Sequence, residues 1–389
     1  MLQSSSLSRP QSQNLTLLVV AHLLMTMGYQ LLFRKITDGL WDVFSMEIED
    51  LTRAYRLVDA VHVLLFVVGA LIGDLLLGRK ESILMGLYVM MLSALLSLAP
   101  GTMFGYVSLG LLGLGWGSCL GNVIGEYGRM HRQHTRLGLF LFGLFVVVNH
   151  SIGFSSFFTH YHWDSEDFNS PFMAIGFLLL AQFALVNYSS IQASEEKTKA
   201  AYETGGLKWM TVIILSFFLW QFGFQYFLKY SSPFEKFPFD EQPWLLESTW
   251  WLRFCLGALL AGLWYVRPTN TVVLYSATFL LLAIVLVGPF IGTIQVGDGL
   301  GLGDVSLLHF ELLITPAFFV LLNRFVRGKA IGTQLMIGFV VAKLGSSFLI
   351  YVMPRQIDAV KYQPALVILF MLLFGLFMFL WNKKSLEHE

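Results

Sequence analysis

Apolar blocks of roughly 18 to 24 residues recur along the whole chain, each long enough to cross a hydrocarbon core of about 30 Å as a helix. That recurrence excludes most folds at once. In lipid, backbone N–H and C=O groups must be satisfied within the segment, so blocks of this length are helices. Of the 389 residues, 56% are hydrophobic and 13% charged, where a soluble domain carries about a quarter charged. The 35 Phe and 35 Gly fit the same reading: rings face lipid, and small residues let helices approach. The expected fold class is all-α, a polytopic membrane protein with about twelve transmembrane helices. The spans run roughly over 15–33, 57–77, 83–99, 104–126, 137–158, 171–190, 209–228, 248–266, 270–291, 304–322, 331–353 and 363–381.

Charge distribution sets the orientation. With the N-terminus inside, 15 of the 25 Lys and Arg residues fall in cytoplasmic segments, eight fall outside, and Arg253 and Lys343 lie within spans. Short loops rich in Lys and Arg are retained inside, so both termini are expected in the cytoplasm of a plasma (inner) membrane. The polar stretch 1–14 is a cytoplasmic tail, and the first apolar block is long enough to be a true span rather than a cleaved leader. Residues 191–208, IQASEEKTKAAYETGGLK, are polar and lie midway along the chain. They read as a linker between a six-helix half over 15–190 and another over 209–382, with a short tail at 383–389. Outside the membrane, 34–56 contains an amphipathic piece, DGLWDVFSMEIEDL, read as a surface-lying segment or an ordered loop.

Net charge is zero, so nucleic acid is not an expected partner. Cys119 and Cys255 both fall inside spans and read as small buried hydrophobes, with no disulfide, metal or cofactor implied. No nucleophile, base and orienting group share a helix face, so the chain is not read as an enzyme.

Two groups of residues carry the functional argument. The first is the turn after span 2, GALIGDLLLGRK, where Gly73 and Asp74 are separated from Gly78, Arg79 and Lys80 by three leucines. An acid at a helix end followed by a basic cluster marks a membrane boundary. The second is the set of polar groups within spans, which are costly in lipid and face a cavity or a partner. Arg253, Glu311 and Lys343 fall at similar depth in the outer half of the membrane, and read as a substrate- or proton-handling cluster or as a structural ion network. Trp220, Gln221 and Gln225 on span 7 suit a cavity wall or interhelical hydrogen bonds. His22 on span 1 and Asn149 with His150 on span 5 are the first-half candidates; histidine can change charge near neutral pH. Asp59 and His62 share a face of span 2 near its outer end and read as a hydrated boundary pair.

The turn D-L-L-L-G-R resembles that of the proton-dependent oligopeptide transporters, a family of the major facilitator superfamily in which three residues separate the acid from Gly-Arg or Gly-Lys. Independently, Glu311-Leu312-Leu313-Ile314-Thr315-Pro316 resembles the family's E-L-L-x-S-P in span 10, and Gly328-Lys329-Ala330-Ile331-Gly332 its G-x-M-x-G before span 11. Trp220 and Gln225 match its span 7, and Gly125-Glu126-Tyr127 is similar to its G-D-Q-Y. The resemblance implies the major facilitator fold of two six-helix halves and a secondary active transporter working by alternating access. It also implies a small, peptide-like substrate whose ammonium group Glu311 contacts, and a conformational latch formed by Gly73, Asp74, Gly78, Arg79 and Lys80; Arg253 and Lys343 are read as partners of Glu311 from their shared depth. A monomer in the lipid bilayer is expected.

The chain departs from the family at span 1, which lacks E-x-x-E-R and carries no acid before Asp38. It departs at span 4, which lacks the lysine, and at Phe224, where the family has an acid. Coupling is therefore to protons or replaced by facilitated exchange. The alternative is a non-transporting sensor or assembly partner that keeps the fold.

Overall fold

The computed structural model describes residues 9–44, 48–134, 137–149, 170–189, 206–230, 243–291, 302–326, 328–352 and 375. Among these there are eleven α-helices and no strand. They are α1 (Arg9–Phe44), α2 (Ile48–Ile72), α3 (Arg79–Leu96), α4 (Thr102–Gln133), α5 (Gly138–Asn149), α6 (Ser170–Val186), α7 (Gly206–Tyr230), α8 (Pro243–Val266), α9 (Thr271–Ile291), α10 (Leu302–Phe325) and α11 (Ile331–Val352). They correspond in order to the first eleven expected spans. The twelfth span, apart from Gly375, most of the linker and the acidic loops at 159–169 and 230–243 lie outside the described residues, save the helix-end positions Tyr230 and Pro243.

By length and composition, four stretches can each cross a membrane: Gln11–Thr37, Ala60–Leu77, Thr102–Gln133 and Ile331–Phe348. The helices outrun the apolar blocks that announced them. Much of the piece between spans 1 and 2 is helix: α1 continues to Phe44 and α2 begins at Ile48. Its cause is legible locally. Leu32, Ile36 and Leu40 recur every fourth residue and are all buried, so one face of α1 stays packed beyond the apolar block. Thr37 turns its hydroxyl back to Phe33 O and Arg34 O, at 2.7 and 2.9 Å.

The chain divides into two compact units. Unit 1 comprises Met1–Thr135, Val147–Lys197 and Arg327–Ile337, and so contains α1–α4, α6 and the opening turns of α11. Within it, α4 is the central post, packed against α1, α2 and α3. Glycines set the spacing. A Cβ on Gly69 would lie 2.2 Å from Gly117 O, and one on Gly86 would lie 2.6 Å from Gly115 O. Backbone meets backbone at both places, as small residues permit in membrane helices.

Unit 2 comprises Arg136–Val146, Thr198–Val326 and Gly338–Glu389. Its core is aromatic. Phe217 stacks on Phe318 with ring centroids 4.1 Å apart, and Phe319 packs between Phe142 and Phe339. The Tyr275 and Ser216 hydroxyls pair at 2.7 Å, joining α9 to α7. The two cysteines differ: Cys119 is buried in α4, as expected, whereas Cys255 is exposed on α8. A thiol on an outward helix face is compatible with a membrane helix, because lipid tolerates a small weakly polar group.

Candidate functional site

The turn between α2 and α3 is built around its extra residue. Gly73–Leu77 forms a single π-helical turn, which accommodates more residues per turn than an α-helix. The three-leucine spacing is thus absorbed as a wider turn. Gly78 then takes φ 91°, a conformation open to glycine, and α3 starts at Arg79. Asn122 of α4 secures the turn from below. Its amide nitrogen reaches Gly69 O at 2.9 Å and Ser82 Oγ at 2.9 Å, one on α2 and one on α3. A Cβ at Gly73 would sit 1.7 Å from Asn122 Oδ1, so only glycine fits there.

This construction buries Asp74 and Arg79 together. Arg79 donates to Asp74 Oδ1 from Nε at 2.7 Å and again from Nη2. The side chains are 1% and 0% exposed, Arg79 and Asp74 respectively. Nη2 also donates to Lys329 O at 3.1 Å, and Nη1 lies 3.7 Å from Glu126 Oε1. Asp74 Oδ2 accepts from Thr333 twice, from the backbone N–H at 2.8 Å and from Oγ1 at 2.9 Å. Thr333 is in the first turn of α11, where N–H groups have no intrahelical acceptor and the helix dipole favours an anion. Gly332 makes that approach possible, since a Cβ there would meet Gly121 O at 3.0 Å and Asp74 Oδ2 at 3.3 Å.

Glu126 on α4 is buried and accepts a hydrogen bond from the Tyr188 hydroxyl. Arg129, three residues on, is close enough to feel Arg79, Glu126 and Asp74. The cluster therefore sets two carboxylates against two guanidinium groups. Lys80 points the other way, donating from Nζ to Val186 O at 3.1 Å and Tyr188 O at 2.6 Å. Cations suit the carbonyl end of a helix. Consecutive residues, Arg79 and Lys80, thus hold the opening of α11 and the end of α6 to one turn.

All five residues expected to form a latch, Gly73, Asp74, Gly78, Arg79 and Lys80, meet here. Sequence reasoning missed Asn122, Glu126, Tyr188 and Thr333. For Glu126 a signal existed, an acid at the end of span 4 with Arg129 three residues later. For Thr333 there was none beyond the glycines around it.

The intramembrane candidates are distributed over both units. In unit 1, His22 is fully buried, with Nδ1 3.3 Å from the Tyr127 hydroxyl, and Asn149 lies beside its ring. His150 lies outside the described residues. His62 is buried rather than hydrated. Tyr29 Oη is 2.9 Å from its Nδ1, and Nε2 is 3.2 Å from Leu109 O. A carbonyl can only accept, so Nε2 donates to Leu109 O, while Nδ1 pairs with the Tyr29 hydroxyl. Satisfied at both nitrogens, His62 is a packing residue between α1, α2 and α4; the side chain of Asp59 lies outside the described residues. In unit 2, Trp220 and Gln221 are buried on α7. Glu311 on α10 and Lys343 on α11 are each partly buried and each engaged with other groups. Arg253 is on α8 and Gln225 on α7, with both side chains outside the described residues.

With this geometry in place, likeness to known proteins can be stated. No family model matches the sequence, and no curated protein matches it. Solved structures do. The human organic anion transporter MFSD10 (TETRAN) superposes with a TM-score of 0.66 at 14% identity, over 96% of this chain and 99% of that one. The major facilitator superfamily proton:xylose symporter XylE, bound to 6-bromo-6-deoxy-D-glucose, gives 0.66 at 14% identity, over 96% of each chain. A mutant of peptide transporter POT in complex with alafosfalin gives 0.58 at 11% identity, over 95% of this chain and 94% of that one. The fold is the major facilitator fold, as the turn after span 2 led one to expect, and the peptide transporters are among the structures that share it. With four membrane-length apolar stretches among its described helices, the chain is an integral, multi-pass membrane protein.

Proposed function

We propose that this chain is a secondary active transporter of the facilitator type, moving a small solute across the membrane by alternating access. The observation that carries the reading is the buried ionic cluster at the α2–α3 turn. Asp74 and Arg79 bind Thr333 and Lys329 O, residues some 250 positions away in the chain. Nothing in this cluster resembles a packed apolar core, and buried ion pairs seldom stabilise a protein more than apolar packing would. They are better suited to a contact that forms in one state and is released in another. In that state-dependent contact the start of α11 is the moving part, and Asp74 gains two donors each time it docks.

The latch lies on the cytoplasmic face in this reading, with both termini cytoplasmic, in agreement with the bias of Lys and Arg. The cargo we propose is peptide-like, with its amine facing Glu311 and with Arg253, Lys343, Trp220, Gln221 and Gln225 toward the same path. His22, Asn149 and His150 are the first-half residues offered for proton handling. The solved structures of similar fold are, by their own descriptions, an organic anion transporter, a proton:xylose symporter and a peptide transporter, so the panel of test solutes should span all three. Purified chain in proteoliposomes is assayed for uptake of di- and tripeptides, sugars and organic anions, with and without an inward proton gradient. Uptake of one class, reduced about tenfold or more by Asp74→Asn at unchanged protein level, supports the proposal. Absence of uptake and of counterflow for every class would sink it.

A further inference from the structure

Tyr188 is held more firmly than its place just beyond α6 requires. Its backbone N–H donates to Leu185 O at 3.1 Å, and its carbonyl accepts from Lys80 Nζ at 2.6 Å. These two bonds already anchor the end of α6. The side chain is nevertheless buried, 1% exposed, and its hydroxyl is given to Glu126 Oε2.

Glu126 has a second suitor. Its Oε1 lies 3.7 Å from Arg79 Nη1, short of a good hydrogen bond, while Arg79 is committed to Asp74 Oδ1, Lys329 O and, from Nη1, Gly125 O at 3.4 Å. Arginine binds a carboxylate best as a fork across both oxygens. Asp74 cannot offer Arg79 that fork, because its Oδ2 is occupied by Thr333. Glu126 Oε2 already accepts from Tyr188, so Glu126 presents Arg79 with less unshared negative charge than a bare carboxylate would. The hydroxyl therefore lowers the attraction of the competing carboxylate for Arg79, with Arg129 standing near both acids as a second cation.

We propose that Tyr188 is a positioning residue that sets the balance of the latch: by occupying Glu126 Oε2 it keeps Arg79 on Asp74 and so favours the arrangement in which α11 is docked. This rests on the α2–α3 turn being a state-dependent latch, and adds a residue and a sign to it. When α11 leaves, Arg79 loses Lys329 O and turns toward Glu126, whose pull the tyrosine bond has weakened. Loss of that bond strengthens the pull of Glu126 on Arg79 and shifts the population toward undocked chains.

The test reads docking directly. In the full-length chain carrying Cys119→Ser and Cys255→Ser, Ile331→Cys places a thiol at a position 3% exposed at the start of α11. Its labelling by a bulky maleimide in detergent micelles, where both faces are reachable, reports undocking. Asp74→Asn is expected to raise the labelling rate at least about tenfold. Tyr188→Phe is expected to raise it about fivefold, the value of one hydrogen bond. Glu126→Gln, which weakens the competitor, is expected to leave the rate at or below that of the parent. Adding Tyr188→Phe to Glu126→Gln should then change nothing further. A merely structural tyrosine would speed labelling equally in both backgrounds.

If Asp74→Asn labels faster but Tyr188→Phe labels at the parental rate, the latch stands and the role of Tyr188 is overturned. If Asp74→Asn does not label faster, the latch reading itself fails. Should Tyr188→Phe not fold, Glu126→Gln decides alone: faster labelling than the parent overturns the proposal, because a competitor's removal cannot weaken the bond it competes with.

Discussion

At the scale of single residues, Asp74 concentrates the argument. One oxygen takes the guanidinium of Arg79 and the other takes two donors from Thr333. Removing one partner of a buried pair leaves an uncompensated charge and costs about 3–5 kcal/mol. Thr333→Val removes only the hydroxyl donor and keeps the N–H, for which about 1–2 kcal/mol is expected. Thermal unfolding of the two variants in detergent should therefore rank Asp74→Asn well below Thr333→Val, and Thr333→Val below the parent; equal midpoints would refute the assignment. Arg79→Lys should behave like a loss, since an ammonium cannot reach Asp74, Gly125 O and Lys329 O from one position as the planar fork does. Half of this site was legible in the sequence. An acid and a basic pair flanking a turn announce themselves, because lipid tolerates charge only where it is paired or at the boundary. Their partners did not, because Thr333 lies 259 residues away and is an ordinary threonine until the fold brings it near.

At the scale of elements, hydropathy located the helices and misjudged their ends. It senses the part of a helix that needs lipid, whereas α1 and α4 continue past it, to Phe44 and Gln133, with Leu40 and Met130 still buried beyond the apolar blocks. The same blindness hid the π turn. Three leucines look like more apolar span, and only the fixed positions of Asn122 and Gly73 show that the turn widens there. Glycine substitutions separate these contacts from general effects of helix propensity. Gly69→Ala would drive a methyl to 2.2 Å from Gly117 O, and Gly73→Ala to 1.7 Å from Asn122 Oδ1. The first meets backbone that cannot move, and the second displaces a side chain that ties α2 to α3 through Gly69 O and Ser82 Oγ. Each should destabilise by about 1–3 kcal/mol or more, the ordinary cost of overpacking. Gly110→Ala and Gly262→Ala meet nothing within 4 Å and should hold or raise the melting temperature, since alanine favours a helix by about 1 kcal/mol over glycine. Melting curves for the four variants would reverse this order if α4 were not the post against which unit 1 is built.

At the scale of the whole molecule, what decides between transporter and relic is whether Glu311 works or merely sits. A carboxylate within a membrane helix is expensive by several kcal/mol, so the chain keeps it either for a structural partner or for cargo. Partial burial on α10 and engagement with other groups are compatible with both. The two roles respond oppositely to Glu311→Gln. If the carboxylate neutralises a structural cation, the variant strands that cation, and the melting midpoint falls while any transport measured in surviving protein keeps its affinity. If it receives the amine of a solute or a proton, its engagement in the empty protein is exchangeable, and the variant melts little lower. Uptake of the peptide-like solute then falls about tenfold or more, and whatever dependence on external pH the parent shows is flattened. We expect the second pattern. Melting and uptake measured on one preparation, across external pH values, would show it; uptake unchanged at every pH would remove Glu311 from the transport path and leave the latch as a moving part without an assigned cargo site.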